Sequence, residues 1–277
     1  MKRKIITTST ACLTNNPDIE VIPDIIKFSE NEIYNDFIDY APLMVYNRMT
    51  YDKYASPRVY PQKAFYIKEV LRRLMLDGYD SFIFIIPSID ILDYRTNASI
   101  ATSKLECDVA IYESKQVGYP EAYLALEANR LIKTGLTNVE ICEELKKIDM
   151  RMSLFIFTYK NDLNLEIGVN IDEIDLNSLP KQGRIYRLDG GRLVALKHDS
   201  KKTPLLSLLE SFLAEIDGTK SVPFIISTSS SQYRMVIENK LIKMYNGLSE
   251  IKSYTIPSAL GVRLGGNILS IGYIKKE

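Results

Sequence analysis

From Ser81 to Pro87 the chain reads Ser-Phe-Ile-Phe-Ile-Ile-Pro, an apolar run with no polar alternation. A strand without a polar face cannot turn one side to water, so it is covered on both faces, as the strands of a parallel sheet are. Two shorter runs, Lys4 to Thr8 and Asp108 to Tyr112, read as its neighbours. Helix signals separate them. Ala64, Ile67, Leu71 and Leu74 recur at helical spacing before Gly78, and a second helix runs from about Pro120 to Lys133 with Gly135 as its stop. Thr137 and Glu140 have capping-box spacing for a third, with Ile141, Leu145 and Ile148 facing inward. Strands alternating with such helices predict a parallel sheet flanked by helices.

The second half has another rhythm. Leu154 to Thr158 is a strand, and Arg184 to Leu188 and Arg192 to Leu196 flank Asp189-Gly190-Gly191, a hairpin turn. An amphipathic helix spans Pro204 to Ile216, with Leu205, Leu208, Leu209, Phe212 and Ile216 inward and Gly218 at its end. Phe224 to Ser227 and Asn267 to Ile274 are strands. Between them Tyr233, Ile237, Leu241 and Met244 mark a helix ended by Gly247. The fold class expected is α/β with two lobes: an N-terminal parallel sheet over residues 1–150, and a C-terminal α+β lobe with a mostly antiparallel sheet over 151–277.

The 277 residues carry 35 basic and 35 acidic side chains, which argues against a nucleic-acid binder. The nearest basic run, Lys197 to Lys202, contains an acid and reads as a solvated turn. Cys12, Cys107 and Cys142 are odd in number and widely spaced, so neither a disulfide framework nor a zinc site is indicated; they are expected to be small core hydrophobes. After the basic start only Ile5 and Ile6 precede a polar run, too little for a signal peptide, and no apolar run has the length of a membrane span. A cytoplasmic protein is expected.

Catalytic constellations are poor. The one histidine, His198, lies in the charged turn after a hairpin strand, where a solvated side chain is the ordinary outcome. Gly190-Gly191 belongs to the hairpin, and Gly261, Gly265 and Gly266 lack the dinucleotide spacing. Hydroxyls remain: Thr7-Thr8-Ser9-Thr10, Ser88, and Thr228 to Ser231 each follow a strand. Beyond the carboxyl ends of parallel strands such groups suit an anion, a carboxylate above all.

Several segments, in order and nearly end to end, resemble the DegV family. Thr7-Thr8-Ser9-Thr10-Ala11-Cys12-Leu13 is similar to its opening Thr-Asp-Ser-Thr-Ala-Asp-Leu. Tyr34-Asn35-Asp36-Phe37-Ile38-Asp39, followed by Tyr46, resembles Tyr-Arg-Asp-Gly-x-Asp and the helix after it. Val109 to Lys115, Gly135 to Ile141 and Gly261 to Gly272 resemble its Asp-Ser-Lys strand end, its Gly-x-Ser/Thr-x-Glu-Glu-Ile helix start and its terminal glycine segment.

The resemblance implies a fatty acid held in a tunnel between two lobes and left untransformed, with no cofactor, and in some members presented to a separate fatty acid kinase. In the family a threonine, a serine and a terminal histidine hold the carboxylate. Here Ser56 takes the threonine's place, though one shift would put Pro57 there. Ser88 falls on the first position of the serine pair and Ile89 on the second, or Ser88 on the second after one shift. The histidine becomes Arg263, whose guanidinium can grip a carboxylate with two hydrogen bonds. The lipid-binding set expected is Ser9, Thr10, Ser56, Ser88, Ile89, Gly261 and Arg263. The competing expectation is an enzyme or binding protein for a small phosphate or dicarboxylate in the same cleft.

Overall fold

The computed structural model describes the chain apart from residues 1, 15, 53, 160–182, 197–203, 217–220, 228–230, 245–250, 266–267 and 277. Its first half runs β1 (Arg3–Thr8), a 3-10 turn (Ser9–Ala11), β2 (Ile19–Ile22), β3 (Ile25–Ser29), β4 (Glu32–Asn35), α1 (Pro42–Tyr51) and β5 (Arg58–Tyr60). Then come α2 (Ala64–Leu76), β6 (Ser81–Ile86), α3 (Arg95–Thr102), β7 (Asp108–Glu113), α4 (Tyr119–Ile132) and α5 (Asn138–Asp149). The second half comprises β8 (Met152–Tyr159), β9 (Gly183–Asp189), β10 (Arg192–Leu196), α6 (Pro204–Glu215) and β11 (Ser221–Ser227). It closes with α7 (Ser231–Met244), β12 (Lys252–Thr255), α8 (Ser258–Leu264) and β13 (Ile268–Lys275).

The apolar run becomes β6, buried at all six positions, inside a parallel sheet of order β2-β1-β6-β7. The second sheet has the order β10-β9-β8-β13-β11-β12 and is antiparallel except between β11 and β12. Its hairpin turns at Gly190 (φ 54°) and Gly191 (φ 91°), the left-handed pair that a two-residue turn matching strand twist requires. Thr137 and Glu140 form the complete capping box that starts α5.

Sequence periodicity did not disclose the small antiparallel sheet β4-β3-β5. Its strands have three to five residues and are mostly half-exposed, so they lack both continuous burial and clean alternation. Helix α8 follows the second sheet's β12 in sequence, yet it packs on α1 and β5 of the first half. One apolar core runs through both halves; within it Tyr119 of α4 stacks on Tyr254 of β12 at 3.9 Å and meets Phe224 edge-on at 5.1 Å. A second core, including Phe155, Phe157, Phe212, Ile237 and Leu241, lies between the second sheet and α6 and α7. Cys107 and Cys142 are half-buried and pack against the first core, as small hydrophobes do, whereas Cys12 sits in a left-handed turn (φ 52°) beside acids, which corrects the core reading for that residue. His198, Lys197 to Lys202, Gly218, Gly247, Gly266, Asn267 and residues 228–230 lie outside the described residues, as do the side chains of Leu205, Leu209, Ser231, Tyr233 and Met244.

Candidate functional site

Three segments far apart in sequence meet around one surface pocket of about 360 Å³. Pro57 comes from just before β5 and Val59 from its middle, Ile91 and Leu92 from the loop after β6, and Ala259 and Val262 from α8. These six give it an apolar floor. Arg58, Tyr60 and Arg263 supply the polar part of the lining, and both arginines are exposed. One Arg263 N–H (Nη1) donates to the carbonyl of Asp90. Arg58 has no ion-pair partner among the described residues. An apolar floor with two guanidinium groups in its lining is chemically matched to an amphiphilic anion.

Ser88 stands behind this pocket, buried. Its carbonyl accepts the N–H groups of Ile91 and Leu92 at 2.8 and 3.0 Å, so the chain turns sharply after β6. Its hydroxyl donates to the carbonyl of Gly191 in the β9–β10 turn at 2.8 Å and accepts the Asp90 N–H at 3.3 Å. The same loop is pinned by an ion pair between Asp90 and Arg192 at 3.0 Å. Gly191 is needed there: a Cβ would lie 2.5 Å from Ser88 Oγ. Ile89 is half-exposed, its N–H turned to Glu113 at 3.4 Å. Ser56 is exposed and Pro57, next to it, lines the pocket. Gly261 is buried against α1, where a Cβ would come within 2.1 Å of the Tyr46 ring.

Ser9 and Thr10 lie elsewhere, among buried carboxylates at the carboxyl end of β1. Ser9 donates to Asp36 at 3.2 Å and accepts the Asp24 N–H at 2.9 Å. Thr10 donates to Glu121 at 2.7 and 2.9 Å, with Thr7 and Thr8 each at 3.3 Å. Asp24 accepts from Tyr94 at 2.6 Å, and Asp36 from Ser258, the first residue of α8, at 2.8 Å. No described cation pairs with any of these three acids. Burial therefore dominates their ionisation. It pushes Asp24 up, with the neighbouring Asp36 charge adding to it, and it pushes Glu121 up despite its three threonine donors. Asp36 is pushed up to about 7 by the same desolvation, against the lowering effect of its serine bonds.

Sequence reasoning passed over Asp24, Glu121 and Arg58. An acid in the first turn of a helix ordinarily reads as a solvated partner of the dipole, and Glu121 has that position in α4. Asp36 was present in the Tyr34–Asp39 segment without a role. No clustered metal-ligand set occurs among the described residues. The Cys12 thiol is pushed up by burial and by Asp36, Glu121 and Asp24, which suppresses the thiolate a nucleophile needs. No described helix is long and apolar enough to cross a membrane.

The family model described as "Uncharacterised protein, DegV family" matches residues 2–276. A DegV domain-containing protein of Clostridium perfringens is 25% identical over 287 residues, covering 100% of this chain and 99% of that protein. Among solved structures, Bacillus subtilis DegV, described as a fatty acid binding protein, superposes with a TM-score of 0.78 at 21% identity over 100% of both chains. A stearic-acid-binding protein of Eubacterium ventriosum gives 0.79 at 16% identity, over 100% of this chain and 99% of that one. At these identities the structural likeness speaks for the fold.

Proposed function

The chain belongs to the DegV family, and on that footing we propose that it binds one long-chain fatty acid and holds it without transforming it. The observation that carries this reading is the pocket with the apolar floor of Val59, Ile91, Leu92 and Val262 and the guanidinium groups of Arg58 and Arg263. A carboxylate takes two parallel N–H bonds from a guanidinium, and the acyl chain takes the apolar surface. Each methylene withdrawn from water contributes roughly 0.8 kcal/mol, so the tail supplies the affinity and the head group the orientation. The two lobes are read as residues 1–150 and 151–277, with the ligand between them, where β5 and the loop after β6 meet α8. The protein is taken as cytoplasmic, in keeping with three unpaired cysteines.

Arg263 is exposed. A carboxylate bound there remains within reach of a second protein, and we take presentation to a fatty acid kinase as the use of that exposure. Non-enzymatic action is supported by the suppressed Cys12 thiol and by the closed hydrogen bonding of Ser88, whose proton goes to a backbone carbonyl.

Mass spectrometry of organic extracts from the purified protein tests the reading. A long-chain fatty acid at about one per chain is expected from the native protein, and reduced occupancy from Arg58→Ala/Arg263→Ala. An extract holding a small phosphate or diacid, or full acyl retention by the double variant, would overturn it.

A further inference from the structure

Helix α8 belongs to the second half by sequence, yet it packs on α1, β5 and the 3-10 turn of the first. A helix this short, Ser258 to Leu264, is not stable by itself, so its seat decides where it lies. Ser258 donates to Asp36 at 2.8 Å, and Gly261 lies against the Tyr46 ring. The Tyr46 hydroxyl donates to the Ile256 carbonyl, just before the helix, at 2.7 Å. The same helix supplies Ala259, Val262 and Arg263 to the arginine pocket.

Asp36 and Ser258 are both 0% exposed, so a charge on that carboxyl meets no water while α8 is seated. No described cation pairs with it, and Arg263, the one charged residue of α8, is turned to the Asp90 carbonyl. The titratable groups facing it are all acids: Asp24 before β3, Tyr94 before α3, Cys12 after the 3-10 turn, Tyr46 of α1 and Glu121 of α4. Burial pushes the thiol and both phenols up and keeps them neutral, which leaves three carboxyls in one another's company. Asp24 is joined to Asp36 through Ser9, and its Oδ2 is buried without a donor. An ionised Asp36 is solvated by moving whichever cover is held least. The 3-10 turn is tied to α4 by the Thr10–Glu121 bonds and by the Gly118 N–H on the Thr10 carbonyl at 2.9 Å. Asp24 is tied to Asp36 by a main-chain bond of 2.9 Å. The short α8 is the cover that can lift.

We propose, resting on the reading of the arginine pocket as the fatty-acid site, that Asp36 is its positioning residue: protonated, it seats α8 through Ser258, and its ionisation beside Asp24 unseats the helix and loosens the head group. Burial pushes Asp36 up to about 7, so the seated helix holds a proton that the unseated one gives up. The seat is firmest below about pH 4, weakens as pH rises, and levels off above about 7. A guanidinium keeps its charge throughout, so the change comes from the seat and not from the arginines.

Hydrogen exchange of the full chain from about pH 6 to about pH 8, corrected for the intrinsic pH dependence of exchange, tests the seat. The α8 amides should be less protected than those of β6. Their protection should fall about tenfold over that range in the native protein and less than about twofold in Asp36→Asn. Asp24→Asn, which leaves the Ser258 bond in place, should shrink the fall and serves if Asp36→Asn does not fold. Exchange of bound labelled palmitate against unlabelled palmitate should quicken about tenfold over the same range, and only in proteins that show the fall. Amides of α8 protected as fully as those of β6, protection that does not change with pH, or a fall that persists in both variants overturns the seat. Palmitate exchange that ignores pH while α8 loosens overturns the link to the pocket. A native protein that takes up no palmitate would overturn the fatty-acid reading itself, and the amide exchange decides the seating of α8 independently.

Discussion

Replacing Asp36 by asparagine should change how stability depends on pH, and in a direction fixed by the burial of this carboxyl. In the fold it titrates at about 7 against an ordinary 3.8, a rise of about 3 pH units, worth on the order of 4 kcal/mol between its two protonation states. Folding therefore binds a proton. The stabilisation is fully present below the unfolded value near 4 and is lost as pH rises through about 7, with a slope of at most about 1.4 kcal/mol per pH unit for one proton. Asp24, pushed up in part by Asp36, shares the titration, so the proton belongs to the pair. Asparagine keeps the shape and an acceptor for one of Ser9 and Ser258, whose hydroxyls can rotate to meet its amide. Urea unfolding of both proteins from about pH 5 to pH 8 measures the difference. The variant, after about 1 kcal/mol for rearranged hydrogen bonds, should roughly match the native protein near pH 5 and exceed it by about 2–3 kcal/mol near pH 8. A difference that is constant across the range, or a variant less stable at pH 8, refutes the assignment of the buried charge to Asp36.

Gly261→Ala drives a methyl to 2.1 Å from the Tyr46 ring, whose hydroxyl is anchored on the Ile256 carbonyl at 2.7 Å; a loss of about 1–3 kcal/mol is expected in chemical denaturation. Gly191→Ala strains a residue at φ 91° and meets Ser88 Oγ at 2.5 Å; it should lower the thermal transition and free the Ser88 hydroxyl, while Gly190→Ala should show the backbone strain without the collision. Arg263→Lys keeps the charge and loses the fork, so acyl retention by mass spectrometry should fall between native and Arg263→Ala; native-level retention would mean the charge alone suffices.

Elements whose burial is one-sided or complete were legible in the sequence. β6 announced itself because burial on both faces removes every polar position, and α5 because its capping box sits three residues apart. The β9–β10 turn was readable from two glycines that only a left-handed turn requires. The small β4-β3-β5 sheet was not, since strands of three to five half-exposed residues carry too few positions for a period. Phe37 shows a different opacity: it holds φ 63° where the resembling motif has glycine, so the backbone shape survives a residue that does not advertise it. At the candidate site, Arg263 and Ser88 were singled out from segments that resemble the family's, and the fold brings Arg263 and the loop after Ser88 to one pocket. Arg58 was not, for an exposed charged residue in a three-residue strand looks like any solvated edge. The buried acids were invisible because only tertiary packing takes Asp24, Asp36 and Glu121 out of water.

Ser88 has one proton and two claimants. In the described structure the Gly191 carbonyl takes it. A ligand carboxylate drawing a bond from the same hydroxyl would displace that carbonyl, so the exchange gains little unless the freed carbonyl finds water. Arg263 differs, because a guanidinium has five donors and among the described residues one of them goes to the Asp90 carbonyl. Arg58 adds a second guanidinium without an ion-pair partner among the described residues. If the arginine pocket takes a carboxylate as proposed, its head-group binding energy resides in the arginines, while the serine holds the β9–β10 turn on the loop after β6. Substituting Ser88 should consequently disturb the contact between the two halves more than it weakens the hold on a carboxylate, and substituting the arginines should do the reverse.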